Sequence, residues 1–104
     1  HAGGNWYQEG AMIVLRNDNV VVDLAAIPTL LRSMVYPEVN PRDFLLRLVD
    51  VIGAERILYG TDNLDDGMNP ELISSLGMTE AETADVLATN ALRVYGGNLT
   101  PAEG

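Results

Sequence analysis

Only two stretches of this 104-residue chain read as β-strands, and both read as strands buried on two faces. Val20-Val21-Val22-Asp23-Leu24 carries three consecutive β-branched residues, which favour a pleated backbone. Arg56-Ile57-Leu58-Tyr59-Gly60-Thr61 is a short apolar run with polar ends, and it stops abruptly at Asp62. Unbroken apolar runs of this length suit parallel sheets covered by helices. A pair of parallel strands leaves both sheet edges open, which a finished domain rarely tolerates. The expectation is therefore α/β, with these residues forming the last part of a larger sheet or barrel, or a unit that pairs with another chain. The chain starts at His1 without an initiator Met, and the expectation is of a processed chain or a piece of something longer.

Helical signals surround the two runs, giving the alternation of βα units. His1-Ala2-Gly3-Gly4 reads as a turn. Trp6, Ala11, Val14 and Leu15 recur at roughly helical spacing until Asn17-Asp18-Asn19 stops them. A short helical piece is expected over Thr29–Met34, followed by extended chain over Tyr36–Val39. Asn40-Pro41 combines an N-cap with a first-turn proline. Phe44, Leu45, Leu48, Val49 and Ile52 then form an apolar stripe, and Gly53 ends that helix. Pro70–Leu76 is a further short helix. Thr79 and Glu82 form a capping box for the last helix, which runs to Gly96-Gly97. Residues 98–104 are expected to be a flexible tail, leaving 1–97 as the structured part.

Composition excludes some functions. Fifteen acidic residues against six arginines and no lysine give a formal charge of −9. That balance argues against nucleic acid or an anionic membrane as partner. Without cysteine there is neither a disulfide framework nor a thiolate zinc site. No apolar run approaches the roughly 20 residues of a membrane span, and no signal peptide is visible. A cytoplasmic location is expected.

Chemistry has two candidate carriers, Asp62 and the only histidine, His1. A carboxylate just past a buried strand sits where α/β proteins place their sites, although a turn or cap is its commoner role. If a strand also precedes His1, both side chains point into one mouth, where an imidazole and a carboxylate bind a divalent metal or share a proton.

The succession His1-Ala2-Gly3-Gly4, Trp6, Glu9, Asn19–Leu24, Ile52–Asp62 and Asn90-Ala91 resembles the C-terminal portion of the amidohydrolase-related, aminocarboxymuconate-semialdehyde decarboxylase-like family. The most specific block is Gly53-Ala54-Glu55-Arg56-Ile57-Leu58-Tyr59-Gly60-Thr61-Asp62. These are metal-dependent TIM-barrel enzymes. The resemblance implies the last βα units of a (β/α)8 barrel, with His1 ending strand six, Val20–Leu24 as strand seven and Arg56–Thr61 as strand eight. It implies a hydrolase acting through a metal-activated water, with Asp62 as metal ligand and base and His1 as catalytic histidine. Non-oxidative decarboxylation is the alternative within the family. A non-catalytic βα fragment or binding module is the alternative outside it.

The family's metal is implied to be zinc, with manganese second, and its His-x-His pair and further histidine have no counterpart in these residues. The ion could bind only with ligands from outside the chain, and these residues alone are expected to be inactive. Expected partners are a small-molecule substrate and either the N-terminal part of the barrel or further copies of the chain. The family's aromatic and proline after the aspartate are replaced by Asn63-Leu64, so the substrate loop differs. Asn63 and Trp6 are candidate substrate contacts, with packing the commoner role of a residue like Trp6. Asp23 is expected at a strand end with a backbone or arginine partner, and Arg56 is expected to pair with a carboxylate. Asn90 should tie the last helix to the sheet. Asp65-Asp66-Gly67 reads as a solvated turn rather than a cation loop.

Overall fold

A computed structural model describes residues 1–33, 35 and 37–96. Met34, Tyr36, Gly97 and the expected tail over 98–104 lie outside the described residues. Helix α1 (Tyr7–Arg16) follows a short 3-10 turn, Gly4–Trp6. Strand β1 (Val22–Asp23) leads into α2 (Ile27–Ser33) and α3 (Pro41–Ile52). A second 3-10 turn, Ala54–Arg56, opens β2 (Ile57–Leu58). Helix α4 (Pro70–Ser74) precedes the last helix, which is built from α5 (Glu80–Ala84), a π-turn (Asp85–Thr89) and α6 (Asn90–Tyr95).

The strands pair in parallel, with Val22 opposite Ile57 and Asp23 opposite Leu58. The Leu24 N–H extends the ladder by donating to the Leu58 carbonyl at 2.9 Å. Both strands are shorter than the apolar runs that contain them, and the hydrogen bonds say why. The Val20 carbonyl accepts from Arg56 Nε at 2.8 Å instead of from a strand. Arg56 itself closes a 3-10 turn, and the Tyr59 N–H turns away to the Val86 carbonyl at 3.0 Å. Two strands among the described residues make no barrel by themselves.

Local chemistry accounts for the helices. Asn40 Oδ1 accepts from the Arg42 and Asp43 N–H groups at 2.9 and 3.3 Å, satisfying two orphan donors of α3, and Pro41 supplies a preset φ. The buried face of α3 is Phe44, Leu45, Leu48 and Ile52. Tyr7 of α1 meets Phe44 edge-on, with ring centroids 5.1 Å apart. The Thr79–Glu82 capping box is formed in both directions. One contiguous core links α1, the sheet and the later helices through residues such as Val14, Leu24, Leu45, Ile57, Ile73 and Val86.

Arg56 has no carboxylate partner among the described residues. Its guanidinium donates to the main-chain carbonyls of Val14, Asn17 and Val20. The first two carbonyls lie at the C-terminal end of α1, where unpaired C=O groups carry partial negative charge. The expectation of an arginine–carboxylate pair is corrected accordingly. Asn90 behaves as expected: fully buried, its Nδ2 donates to the Ala54 and Ile57 carbonyls at 2.7 and 2.9 Å.

Candidate active site

His1 and Asp62 lie 61 positions apart in sequence, yet His1 Nε2 sits 3.4 Å from Asp62 Oδ2. Both side chains are about half exposed, at 50% and 59%. Asp23, the last residue of β1, lies beside His1: its Oδ1 accepts from the His1 terminal ammonium at 2.8 Å and from the Ala25 N–H at 3.0 Å. Asp23 therefore has the expected backbone partner, the Ala25 N–H. Asp62 follows β2 by a few residues, so both groups gather at the carboxyl end of the parallel pair.

Turn geometry sets each side chain. The Gly4 N–H donates to the His1 carbonyl at 2.8 Å, closing a turn in which Ala2 and Gly3 have φ of 50° and 88°. A Cβ at Gly10 would lie 3.2 Å from the Ala2 carbonyl, so glycine lets α1 seat directly on this turn. On the other side, the Leu64 N–H donates to the Thr61 carbonyl at 3.0 Å. The two residues between them, Asp62 and Asn63, have φ of 55° and 57°. A turn with two positive central φ values favours Asn, Asp and Gly. The Asp-Asn pair supplies that chemistry, so this signal was available in the sequence. Buried Ala2 and exposed Asp62 are thus both held in the left-handed region, a cost that commonly collects where a site needs an exact aim.

The loop after Asp62 is anchored rather than solvated, which corrects the reading of Asp65-Asp66-Gly67. Asp66 Oδ2 accepts from the Thr29 hydroxyl at 2.7 Å and from the Thr29 N–H at 3.2 Å, and Oδ1 accepts from the Met68 N–H at 3.3 Å. Met68 is then buried in the core. Burial raises the Asp66 pKa, but the Thr29 hydroxyl, the Met68 and Thr29 N–H groups and the Arg32 charge outweigh it, leaving the carboxyl below its ordinary value of 3.8. A depressed folded-state pKa stabilises the fold above the unfolded pKa of about 3.9, and that stability is lost as pH falls through the folded value. Asp66→Asn is expected to lower unfolding free energy by about 1–2 kcal/mol at pH 7. In urea titrations the gap to the parent should shrink below pH 4, and a gap independent of pH would count against this linkage.

Trp6 ends the first 3-10 turn with 66% of its surface exposed, so the packing role expected for it is not found. Asn63 is exposed beside Asp62. An apolar groove between α1 and α3, lined by Tyr7, Ala11, Leu15, Phe44, Leu48 and Val51, includes neither His1 nor Asp62.

Two ligands of one tetrahedral zinc ion, with bonds of about 2.0–2.1 Å, stand about 3.4 Å apart, so the His1–Asp62 spacing suits such an edge. A catalytic site needs a third protein ligand, however. No group of three or more His, Cys, Asp or Glu among the described residues could hold a metal. The residues present do not by themselves fit a metal ion.

The His–Asp pair stands at the carboxyl end of parallel strands, where α/β proteins place their sites. The amidohydrolase family model matches residues 1–97, and the chain belongs to that family. The family implies a TIM-barrel fold, of which the described residues show one parallel pair of strands among helices. Neither a search of curated proteins nor one of solved structures returned a match. Among the described residues, no helix is long and apolar enough to cross a membrane.

Proposed function

We propose that this chain supplies the proton-handling part of an amidohydrolase-type hydrolytic site acting on a small molecule. Asp62 is the base: its carboxylate takes a proton from the attacking water. His1 Nε2, within reach of Asp62 Oδ2, holds or returns that proton to the departing group. The observation that carries the reading is the 3.4 Å approach of these two side chains from opposite parts of the sequence. Such contacts are often long in an empty site and shorten when substrate binds. Trp6 and Asn63 are the proposed substrate contacts; both are exposed, and Asn63 follows Asp62 directly.

The divalent ion that the family implies, zinc or manganese, would need its remaining ligands from outside these 104 residues. The reading therefore includes a partner segment, either the N-terminal part of the barrel or another copy. Position by position, the chain would contribute the end of strand six and strands seven and eight. Non-oxidative decarboxylation, as in the aminocarboxymuconate-semialdehyde decarboxylase-like branch, would use the same pair to protonate carbon.

The residues encoded upstream of His1 test the reading. A His-x-His pair and a further histidine are expected within about 200 residues, the span a barrel needs. Their absence would leave a non-catalytic βα module as the better account. In the protein that carries them, product analysis separates the chemistries: release of an acid and an alcohol or amine marks hydrolysis, and release of carbon dioxide marks decarboxylation.

A further inference from the structure

Among the described residues, the Asp62 carboxylate has no polar partner besides His1 Nε2. Its aim is therefore set by main chain, through the turn over Thr61–Leu64 in which Asp62 and Asn63 both lie in the left-handed region. Such backbone persists only where the surrounding structure holds it. On the strand side, the chain leaves β2 through Gly60, where a Cβ would stand 3.5 Å from the Ala25 Cβ. On the other side, the next fixed point after Leu64 is Asp66.

Asp66 is held from two elements. Its Oδ2 accepts from the hydroxyl and the N–H of Thr29, and its Oδ1 accepts from the N–H of Met68, whose side chain is buried in the core. Thr29 belongs to α2, and the loop entering that helix carries Ala26 at a φ of 63°. Ala2, Ala26, Asp62 and Asn63 are all the non-glycine residues of positive φ among the described residues, and each follows His1 or the end of a strand. Strain gathered in three loops at one end of the sheet marks loops locked in one conformation. The Gly60–Ala25 approach and the Asp66–Thr29 bonds join two of these loops, one on each side of the Asp62–Asn63 turn.

We propose that Asp66, tethered to Thr29, is the positioning residue for Asp62: the tether fixes the far end of the Asp62–Asn63 turn and so holds the Asp62 carboxylate against His1 Nε2. The inference rests on the reading of Asp62 as the base. Asp66 touches no reacting group; it acts through the turn. Four residues of extended chain can span about 14 Å, so an open tether gives the segment from Asp62 to Asp66 room to drift. A misplacement of only about 1 Å can cost about 10²-fold in rate. The tether lies wholly in the loops beyond the carboxyl ends of the strands, so it leaves the outer strand edges to the segment that completes a barrel.

The test uses the enzyme that carries the remaining ligands. Thr29→Val removes the hydroxyl and keeps the shape, Thr29→Ser keeps the hydroxyl, and Asp66→Asn removes the charge. Thr29→Val and Asp66→Asn are expected to lower kcat/KM by about tenfold to 10²-fold, and Thr29→Ser by less than about threefold. Added to Asp62→Asn, Thr29→Val should cost less than about threefold more, because a tether acting through Asp62 then has nothing left to aim. Amide exchange reads the turn apart from activity. In Thr29→Val the Leu64 amide, which closes the turn, should exchange faster by about threefold or more, while the Leu24 amide of the ladder stays within about twofold of the parent. An unchanged Leu64 amide, equal losses of activity in Thr29→Ser and Thr29→Val, or losses that multiply in the Asp62→Asn background overturn the proposal. Leu24 exchange that accelerates with Leu64 also overturns it, because the tether would then support the whole fold. Asp62→Asn alone keeps the two claims apart. A loss under about tenfold there removes the base and the positioning role together, whereas a large loss there beside an unimpaired Thr29→Val removes the tether alone.

Discussion

Asp62→Asn is expected to lower kcat/KM by about 10³-fold in the enzyme that carries the remaining ligands, the usual loss when one acid–base group is removed. Stability should change by no more than about 0.5 kcal/mol, because the side chain is exposed and asparagine accepts the left-handed backbone held at this position. His1→Asn should cost a similar factor. The sharper readout is the double variant. If the two side chains act as one unit across their 3.4 Å contact, the second substitution adds little to the first. Losses that multiply to about 10⁶ would show two independent roles, and a loss under tenfold for Asp62→Asn would remove the carboxylate from the proposed chemistry. Asp23→Asn belongs in the same series. Its carboxylate accepts from the Ala25 N–H and touches no reacting group, so its loss should be smaller than that of Asp62.

Local signals carried the sequence reading further than long-range ones. Helix α3 was legible from Asn40, Pro41, the Phe44–Ile52 stripe and Gly53, because a cap, a preset φ and a 3.6-residue period all act within a few residues. The Thr79–Glu82 box was legible for the same reason. Parallel pairing of the two apolar runs also followed from their composition, but their paired length did not. The strands end early because Arg56 and Val86 take carbonyl and N–H positions that a ladder would use, and both partners come from distant parts of the chain. The same limit applies to Asp66, whose partner Thr29 lies 37 residues away. A turn-like Asp-Asp-Gly looks identical whether it faces water or docks on a helix. The π-turn at Asp85–Thr89 has no local signature at all, since helix periodicity alone does not reveal one extra residue.

At the candidate site, the proximity of His1 and Asp62 was anticipated from strand ends, whereas the means of achieving it were not. Asp23 was read as a strand-end carboxylate, and its contact with the His1 terminal ammonium needs both strand and turn in place. Trp6 shows the opposite failure. A large aromatic is usually buried, but here the 3-10 turn that begins at Gly4 ends on Trp6 and leaves its ring exposed.

Arg56→Met is the substitution with the largest expected effect on stability, about 3 kcal/mol in urea unfolding at unchanged m-value. Methionine keeps the apolar stem and removes donors that now serve three carbonyls, at Val14, Asn17 and Val20. Charge-assisted bonds contribute more than neutral ones, and these join the end of α1 to the start of both strands. Arg56→Lys should recover only part of the loss, because a single ammonium cannot span a planar fork's set of acceptors. Salt separates this account from the carboxylate pair expected from sequence. A half-buried bond to carbonyls should keep most of its value at 1 M salt, where a surface ion pair is screened within about 3 Å. Arg56 stands at the amino ends of the strands and the His1–Asp62 pair at their carboxyl ends. Activity in the Arg56 variants should therefore fall only with the folded fraction, and any loss beyond that fraction would mean that the clasp also sets the aim of His1 across the length of the sheet.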